Sequence, residues 1–216
     1  EGDFDLIMLD ARGHGMSSPL AEGEVETPGA DIAAAVRALG LTRPVLMGHS
    51  LGARSTAACA AAHPGLASRV ILEDPPLMPL ADPDAVSRRR VRFREQVATF
   101  RSMSEAELTA MGRKNSPLWH EDEFPAWSQS KRQVDPSAAP DFRIEWREMI
   151  AGIAEPTLLI HGEGALGGIV TEEIAAEARA LNPNITSVLI RGAGHNVRRE
   201  NFTDYMTAVR SFLGVG

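Results

Sequence analysis

Two short glycine-flanked turns carry the residue types that nucleophilic chemistry needs. Gly48-His49-Ser50-Leu51-Gly52 follows the apolar run Val45-Leu46-Met47 and leads into the alanine-rich stretch Leu51 to His63, closed by Pro64-Gly65. A Gly-x-Ser-x-Gly turn between a buried strand and a helix holds the serine in a strained conformation, with its hydroxyl pushed out of the sheet edge. Gly48 and Gly52 supply flanking positions without bulk. Leu51 then opens the helix, and its backbone N–H is aimed at the oxyanion that acyl transfer creates. The competing reading is a plain strand-to-helix turn with Ser50 as the N-cap.

A serine hydroxyl is a poor nucleophile unless a base removes its proton. His195, in Gly192-Ala193-Gly194-His195-Asn196, follows the last apolar run, where small neighbours let an imidazole swing over a sheet edge. The other five histidines fit less well. His14 and His49 lie in turns, His63 ends a helix, His120 lies in a helical segment and His161 ends a strand. The base in turn needs an acid to hold its tautomer and stabilise the imidazolium. Glu163, in His161-Gly162-Glu163-Gly164-Ala165, is the first choice. Asp74 and Glu73, after a different strand, are the alternatives. Each also has a plainer reading, as a turn carboxylate bonded to nearby backbone or as a solvated acidic pair before Pro75.

The elements that must position these residues read as an α/β pattern, apolar runs alternating with helical periodicity. Strands are expected at Phe4–Leu9, Val45–Met47, Val70–Leu72, Thr157–Ile160 and Ser187–Ile190. Helices are expected at Thr27–Leu39, stopped by Gly40, at Leu51–His63 and near Thr171–Leu181. A closing helix puts Phe202, Tyr205, Met206, Val209, Phe212 and Leu213 on one stripe. Between Leu77 and Ile153 the strand rhythm stops and only helical patterns split by prolines remain, one opened by the capping box Ser104-Glu105-Ala106-Glu107. Such an insertion is too long for an ordinary loop and reads as a lid or cap. The expected organisation is a core first part at 1–76, a helical cap at 77–153 and a core second part at 154–216.

Composition narrows the function classes. With 22 Lys and Arg against 29 Asp and Glu, the net charge of −7 argues against nucleic acid as the main partner. No run of about 18 apolar residues exists to span a membrane. The single Cys59 can form no intramolecular disulfide, and there is no Cys/His cluster for structural zinc. The compartment stays open, with the cytoplasm favoured, and so does the oligomeric state.

These residues resemble the α/β-hydrolase family over almost the whole chain. Besides Gly48 to Gly52, the segment Asp10-Ala11-Arg12-Gly13-His14-Gly15-Met16-Ser17 is similar to the family's Asp-x-Arg-Gly-His-Gly-x-Ser turn, and the order serine, acid, histidine is the family's order. The run from Leu159 to Val170 is similar to a subgroup with Gly-acidic-x-x-Leu-Gly-x-Ile-Val, which favours Glu163; the commoner pattern has an Asp two positions later, where this chain has Ala165. The resemblance makes 1–76 the family's strands four to six. It also implies an earlier stretch of about 40–60 residues, holding strands one to three and the loop that donates the second oxyanion N–H. Without the third strand, the Phe4 strand would stand ~9–10 Å from the Val45 strand, or the gap would close.

The resemblance implies a mostly parallel sheet flanked by helices, with a helical cap. It also implies a cofactor-free serine hydrolase that acts on a small-molecule carboxylic ester or related acyl compound through an acyl-enzyme. Epoxide hydrolysis and dehalogenation on this fold use a carboxylate nucleophile, so Ser50 argues against them. Arg88, Arg89, Arg90, Arg92 and Arg94 read as a solvated cap face, with a substrate-carboxylate contact as the sharper alternative. Trp119, Trp127 and Trp146 read as cap and hinge packing. The rival functions are a non-catalytic ligand-binding homologue and an inactive, N-terminally truncated fragment.

Overall fold

Four of the apolar runs become one parallel sheet in the computed structural model, which describes residues 4–20, 28–139 and 142–215. The strands are β1 (Val45–His49), β2 (Arg69–Glu73), β3 (Thr157–His161) and β4 (Ile185–Leu189), in the order β1-β2-β3-β4. Each connection crosses over through at least one helix, as parallel pairing requires. The last strand starts and ends earlier than its apolar pattern suggested, because Ile185 rather than Ser187 opens the pairing with β3 and Leu189 closes it.

Both faces of the central strands β2 and β3 are covered, which is why they read as continuous apolar runs, while Met47 on the edge strand β1 is exposed. On one face Leu46, Val70, Leu72 and Leu159 pack with Ala33 and Val36 of α1 (Pro28–Ala38) and with Ala53, Ala57 and Ala60 of α2 (Leu51–Ala62). The alanines of α2 let α1 approach closely; a Cβ on Gly29 would already lie 3.0 Å from the Cys59 backbone nitrogen. On the other face Ile71, Leu158 and Ile160 pack with Tyr205 and Val209 of α9 (Phe202–Leu213). Phe202 departs from the expected stripe and is 59% exposed, since it stands at the first position of that helix.

The helical insertion forms α3 (Pro83–Ser102), α4 (Glu105–Asn115) and α5 (Glu123–Arg132). The Ser104 hydroxyl accepts from the Glu107 N–H while the Glu107 carboxylate accepts from the Ser104 N–H, so the capping box forms as read. Trp119 packs against Phe124 and Trp127 here. Arg88, Arg90, Arg92 and Arg94 are exposed along α3, and Arg89 lies 5.5 Å over the Phe142 ring.

The described residues divide into two compact units, one from 4–20, 81–139 and 142, the other from 28–80 and 143–215. The boundaries are narrower than the 77–153 expected for the insertion. Leu77 and the helix α6 (Trp146–Ala151), with Trp146, Met149 and Ile150 buried and Ile153 just after it, belong to the core of the sheet-bearing unit. Arg54 of α2, itself 4% exposed, ties both margins of the insertion. Its two terminal nitrogens donate to the Pro76 and Ile144 carbonyls, each at 2.7 Å.

Phe4–Leu9 is not a strand. It runs without ladder hydrogen bonds, with Leu6 80% and Met8 92% exposed. β-structure is a pairing, and an apolar run without a neighbour has nothing to pair with. The turn that follows is built as its motif suggests. The Asp10 carboxylate accepts from the Met16 N–H, Ser17 Oγ donates to the Asp10 carbonyl, and a Cβ on Gly15 (φ 55°) would collide with the Asp10 carboxylate.

Candidate active site

Ser50 sits between β1 and α2 with φ 54° and ψ −121°, a strained positive-φ conformation that costs a non-glycine residue roughly 1–3 kcal/mol. Hydrogen bonds hold it there: the Ser50 N–H donates to the Glu73 carbonyl and the Arg54 N–H to the Ser50 carbonyl. Gly48 is required, since a Cβ there would lie 2.4 Å from the Gly52 carbonyl carbon and oxygen. Gly52 is different from its expected role. A Cβ on it would meet nothing within 4 Å, so the crowding at this turn falls on the Gly52 backbone and not on a side chain there. Leu51 is the first residue of α2, where backbone N–H groups have no partner inside the helix.

His195 lies in the loop after β4, and its Nε2 is 3.0 Å from Ser50 Oγ. Its Nδ1 is 2.7 Å from Oδ2 of Asp74, which is fully buried just past β2. Asp74 has φ 42°, and its carboxylate also accepts from the Ile169 N–H at Oδ2 and the Val170 N–H at Oδ1, both at 2.9 Å. The carboxylate is therefore held by three donors, and the imidazole proton is drawn to Nδ1, leaving Nε2 to accept from the serine. A serine hydroxyl, an imidazole and a carboxylate in that order form a proton-transfer chain that can generate an alkoxide-like nucleophile and then protonate a leaving group.

The structure brings Ser50, His195 and Asp74 together and does not bring Glu163 into that chain. Glu163 Oε1 instead accepts from the Gly192 N–H at 2.7 Å, and the Glu163 N–H donates to the Ala193 carbonyl. The run that pointed to Glu163 has another use. A Cβ on Gly162 would lie 2.1 Å from the Gly194 carbonyl, and one on Gly194 2.1 Å from the Leu166 carbonyl, so the glycines let the two loops touch backbone to backbone. The end of the same run turns the N–H groups of Ile169 and Val170 onto Asp74. Its pattern thus includes the backbone that cradles the Asp74 carboxylate.

Glu73, the other alternative, points to the opposite face. It is 5% exposed, its Oε1 accepts from the Arg198 N–H at 2.9 Å, and burial, opposed chiefly by that bond, raises its pKa. Burial beside the Glu73 charge also raises the pKa of the Tyr205 phenol. His49, read only as a turn residue, turns out to touch the site: its Nε2 donates to the His195 carbonyl at 2.9 Å, and the two rings stand 4.7 Å apart at 44°. Burial lowers its pKa to about 4, so the ring is neutral at ordinary pH. The signal for it was its place beside Ser50 in the turn. A cleft of about 90 Å³ lined by His49, Glu73, Asn196, Arg198 and Arg199 lies against this contact. A separate cavity of about 280 Å³ in the helical unit, with Asp10, His14, Phe93 and Lys131 among its walls, is not lined by Ser50, His195 or Asp74.

Among the described residues no group of three or more His, Cys, Asp or Glu stands close enough to hold a metal ion, and no helix is long and apolar enough to cross a membrane.

A parallel sheet with a serine on a strained strand-to-helix turn, faced by a histidine from the loop after the last strand, defines the α/β-hydrolase fold. Residues 1–205 match the alpha/beta hydrolase family, and the chain belongs to it. Among curated proteins, it is 27% identical to 2-(acetamidomethylene)succinate hydrolase of Mesorhizobium japonicum over 97% of this chain and 78% of that one. It is 29% identical to N-formylmaleamate deformylase of Pseudomonas putida over 97% of this chain and 79% of that one. The crystal structure of E-2-(acetamidomethylene)succinate hydrolase superposes with a TM-score of 0.77 at 24% identity, covering 95% of this chain and 80% of that one. An esterase from Thermogutta terrifontis superposes with a TM-score of 0.71 at 24% identity, covering 95% and 78%.

Proposed function

We propose that this chain is a serine hydrolase of small acyl compounds, working through an acyl-enzyme with Ser50 as nucleophile, His195 as base and Asp74 as the acid. The observation that carries the reading is the unbroken series Ser50 Oγ, His195 Nε2, His195 Nδ1, Asp74 Oδ2, with steps of 3.0 and 2.7 Å. Ser50 Oγ attacks the acyl carbon as its proton passes to His195 Nε2. The Leu51 N–H stabilises the oxyanion from the start of α2. The imidazolium then protonates the leaving oxygen or nitrogen as its bond to the acyl carbon breaks. Water, losing its proton to the same nitrogen, releases the acid product and restores the serine.

The bond broken is a carboxylic ester or a related acyl bond. Membership of a family whose relatives are named as hydrolases supports the class. The names of two of them widen it beyond esters, one acting on an acetamido-bearing succinate and one removing a formyl group from N-formylmaleamate. We extend this to the chain as a substrate class of small acyl compounds that includes amides. Fluorophosphonate labelling tests the chemistry without a known substrate. The parent chain takes the label and Ser50→Ala does not. A folded parent that stays unlabelled would turn the reading toward a ligand-binding homologue or an inactive fragment.

A further inference from the structure

The residues just before the nucleophile and just before the acid are register partners, His49 on β1 opposite Glu73 on β2. Each successor leaves its strand at positive φ, 54° at Ser50 and 42° at Asp74. Ser50 and Asp74 bond the His195 ring, while His49 and Glu73 bond the backbone of the segment that carries it. His49 Nε2 donates to the carbonyl of His195 itself, and Glu73 Oε1 accepts from the N–H of Arg198, three residues on. Between them Val197 is fully buried and opens the short helix α8 (Val197–Glu200). The two contacts thus hold the first and last residues of a four-residue segment whose first side chain is the base.

Neither contact is needed to build the sheet. A buried carboxyl at Glu73 is costly where an apolar side chain would continue the Ile71 face. The cleft of about 90 Å³ beside His49, Glu73 and Arg198 gives the segment somewhere to relax when a clamp is removed. We propose that His49 and Glu73 are positioning residues that clamp the His195–Arg198 segment, so that one imidazole meets Ser50 and Asp74 at once. The inference rests on the reading of Ser50, His195 and Asp74 as the reacting groups, but its geometry can be tested apart from it.

The test pairs a donor-free ring with a donor-bearing chain at His49, and an acceptor-free with an acceptor-bearing chain at Glu73. Proton NMR of the parent reports the His195 Nδ1–H bonded to Asp74 as a low-field resonance, assigned by its loss in Asp74→Asn. In His49→Phe and Glu73→Leu that resonance broadens or moves upfield, and the fluorophosphonate labelling rate falls about 10–100-fold, as a displacement near 1 Å would require. His49→Gln and Glu73→Gln, which keep the donor and the acceptor, restore the resonance and bring labelling to within about three-fold of the parent. If His49→Phe fails to fold, as judged by circular dichroism, the Glu73 pair decides. A resonance and labelling rate unchanged in the folded His49→Phe and Glu73→Leu chains would overturn the clamp. Loss that the glutamine variants do not rescue would overturn it too, since any change at the site would then suffice. A parent that shows the resonance but takes no label would overturn the proposed function and leave the NMR comparison to judge the clamp.

Discussion

At the scale of single residues, the arrangement separates the carboxylate that meets the imidazole from those that bond only backbone. Asp74 has no exposed surface, two backbone donors and the imidazole on it, whereas Glu163 spends its carboxylate on the Gly192 N–H. Asp74→Asn should keep the fold and lose about 10³–10⁴-fold in labelling rate, because an amide cannot hold the Nδ1–H tautomer. Glu163→Gln still offers an oxygen to Gly192 and should stay within about ten-fold of the parent. The rates of the two variants, measured side by side, decide the assignment: comparable losses would return Glu163 to the reacting group. Ser50 and His195 were legible in the sequence because each sits in a short glycine-flanked turn whose spacing is set by local backbone geometry. The carboxylate that meets the histidine was not, because Glu73 ends a strand, Asp74 follows it and Glu163 follows another, all at the same sheet edge. Which of them faces the histidine depends on the positive φ at Asp74 and on backbone donors brought from 95 positions away.

At the scale of elements, the core of the sheet-bearing unit depends on how the two segments that flank the helical insertion are tied to α2. Arg54 directs both terminal nitrogens at the carbonyls of Pro76 and Ile144, one on each margin of the insertion. Arg54→Met keeps the buried stem and leaves those carbonyls without their donors. It should cost about 2–4 kcal/mol and lower the thermal midpoint by roughly 5–12 °C, read by circular dichroism. An unchanged midpoint would mean that water or a rearranged margin replaces the guanidinium without loss. The four sheet strands and the helices that cover them were legible because buried parallel strands are continuous apolar runs and their helices carry one apolar stripe. Two elements were not. Phe4–Leu9 has the composition of a strand, but pairing is a property of neighbours that a run of residues does not encode. The α6 segment lies in a proline-split helical region and so read as insertion, yet Trp146, Met149 and Ile150 fill the core of the sheet-bearing unit.

At the scale of the whole molecule, the clamp residues bias folding with pH in opposite senses. Burial lowers the His49 pKa from 6.5 to about 4. Between those values the unfolded chain binds a proton that the folded chain refuses. The contribution is present in full above about pH 6.5 and is lost as the pH falls through that window. Glu73 is raised by burial, so its contribution is present below the unfolded carboxylate pKa and lost as the pH rises through the folded one. His49→Gln removes the first dependence while keeping a donor for the His195 carbonyl. In urea unfolding at pH 7.5 and pH 4.5, the stability of the parent relative to His49→Gln should therefore fall by about 1–3 kcal/mol at the lower pH. Glu73→Gln should show the reverse slope, gaining on the parent as the pH rises. A pH-independent difference for His49→Gln would mean that His49 titrates alike in both states, and the ring would then be too well solvated to sit behind His195 as a neutral donor.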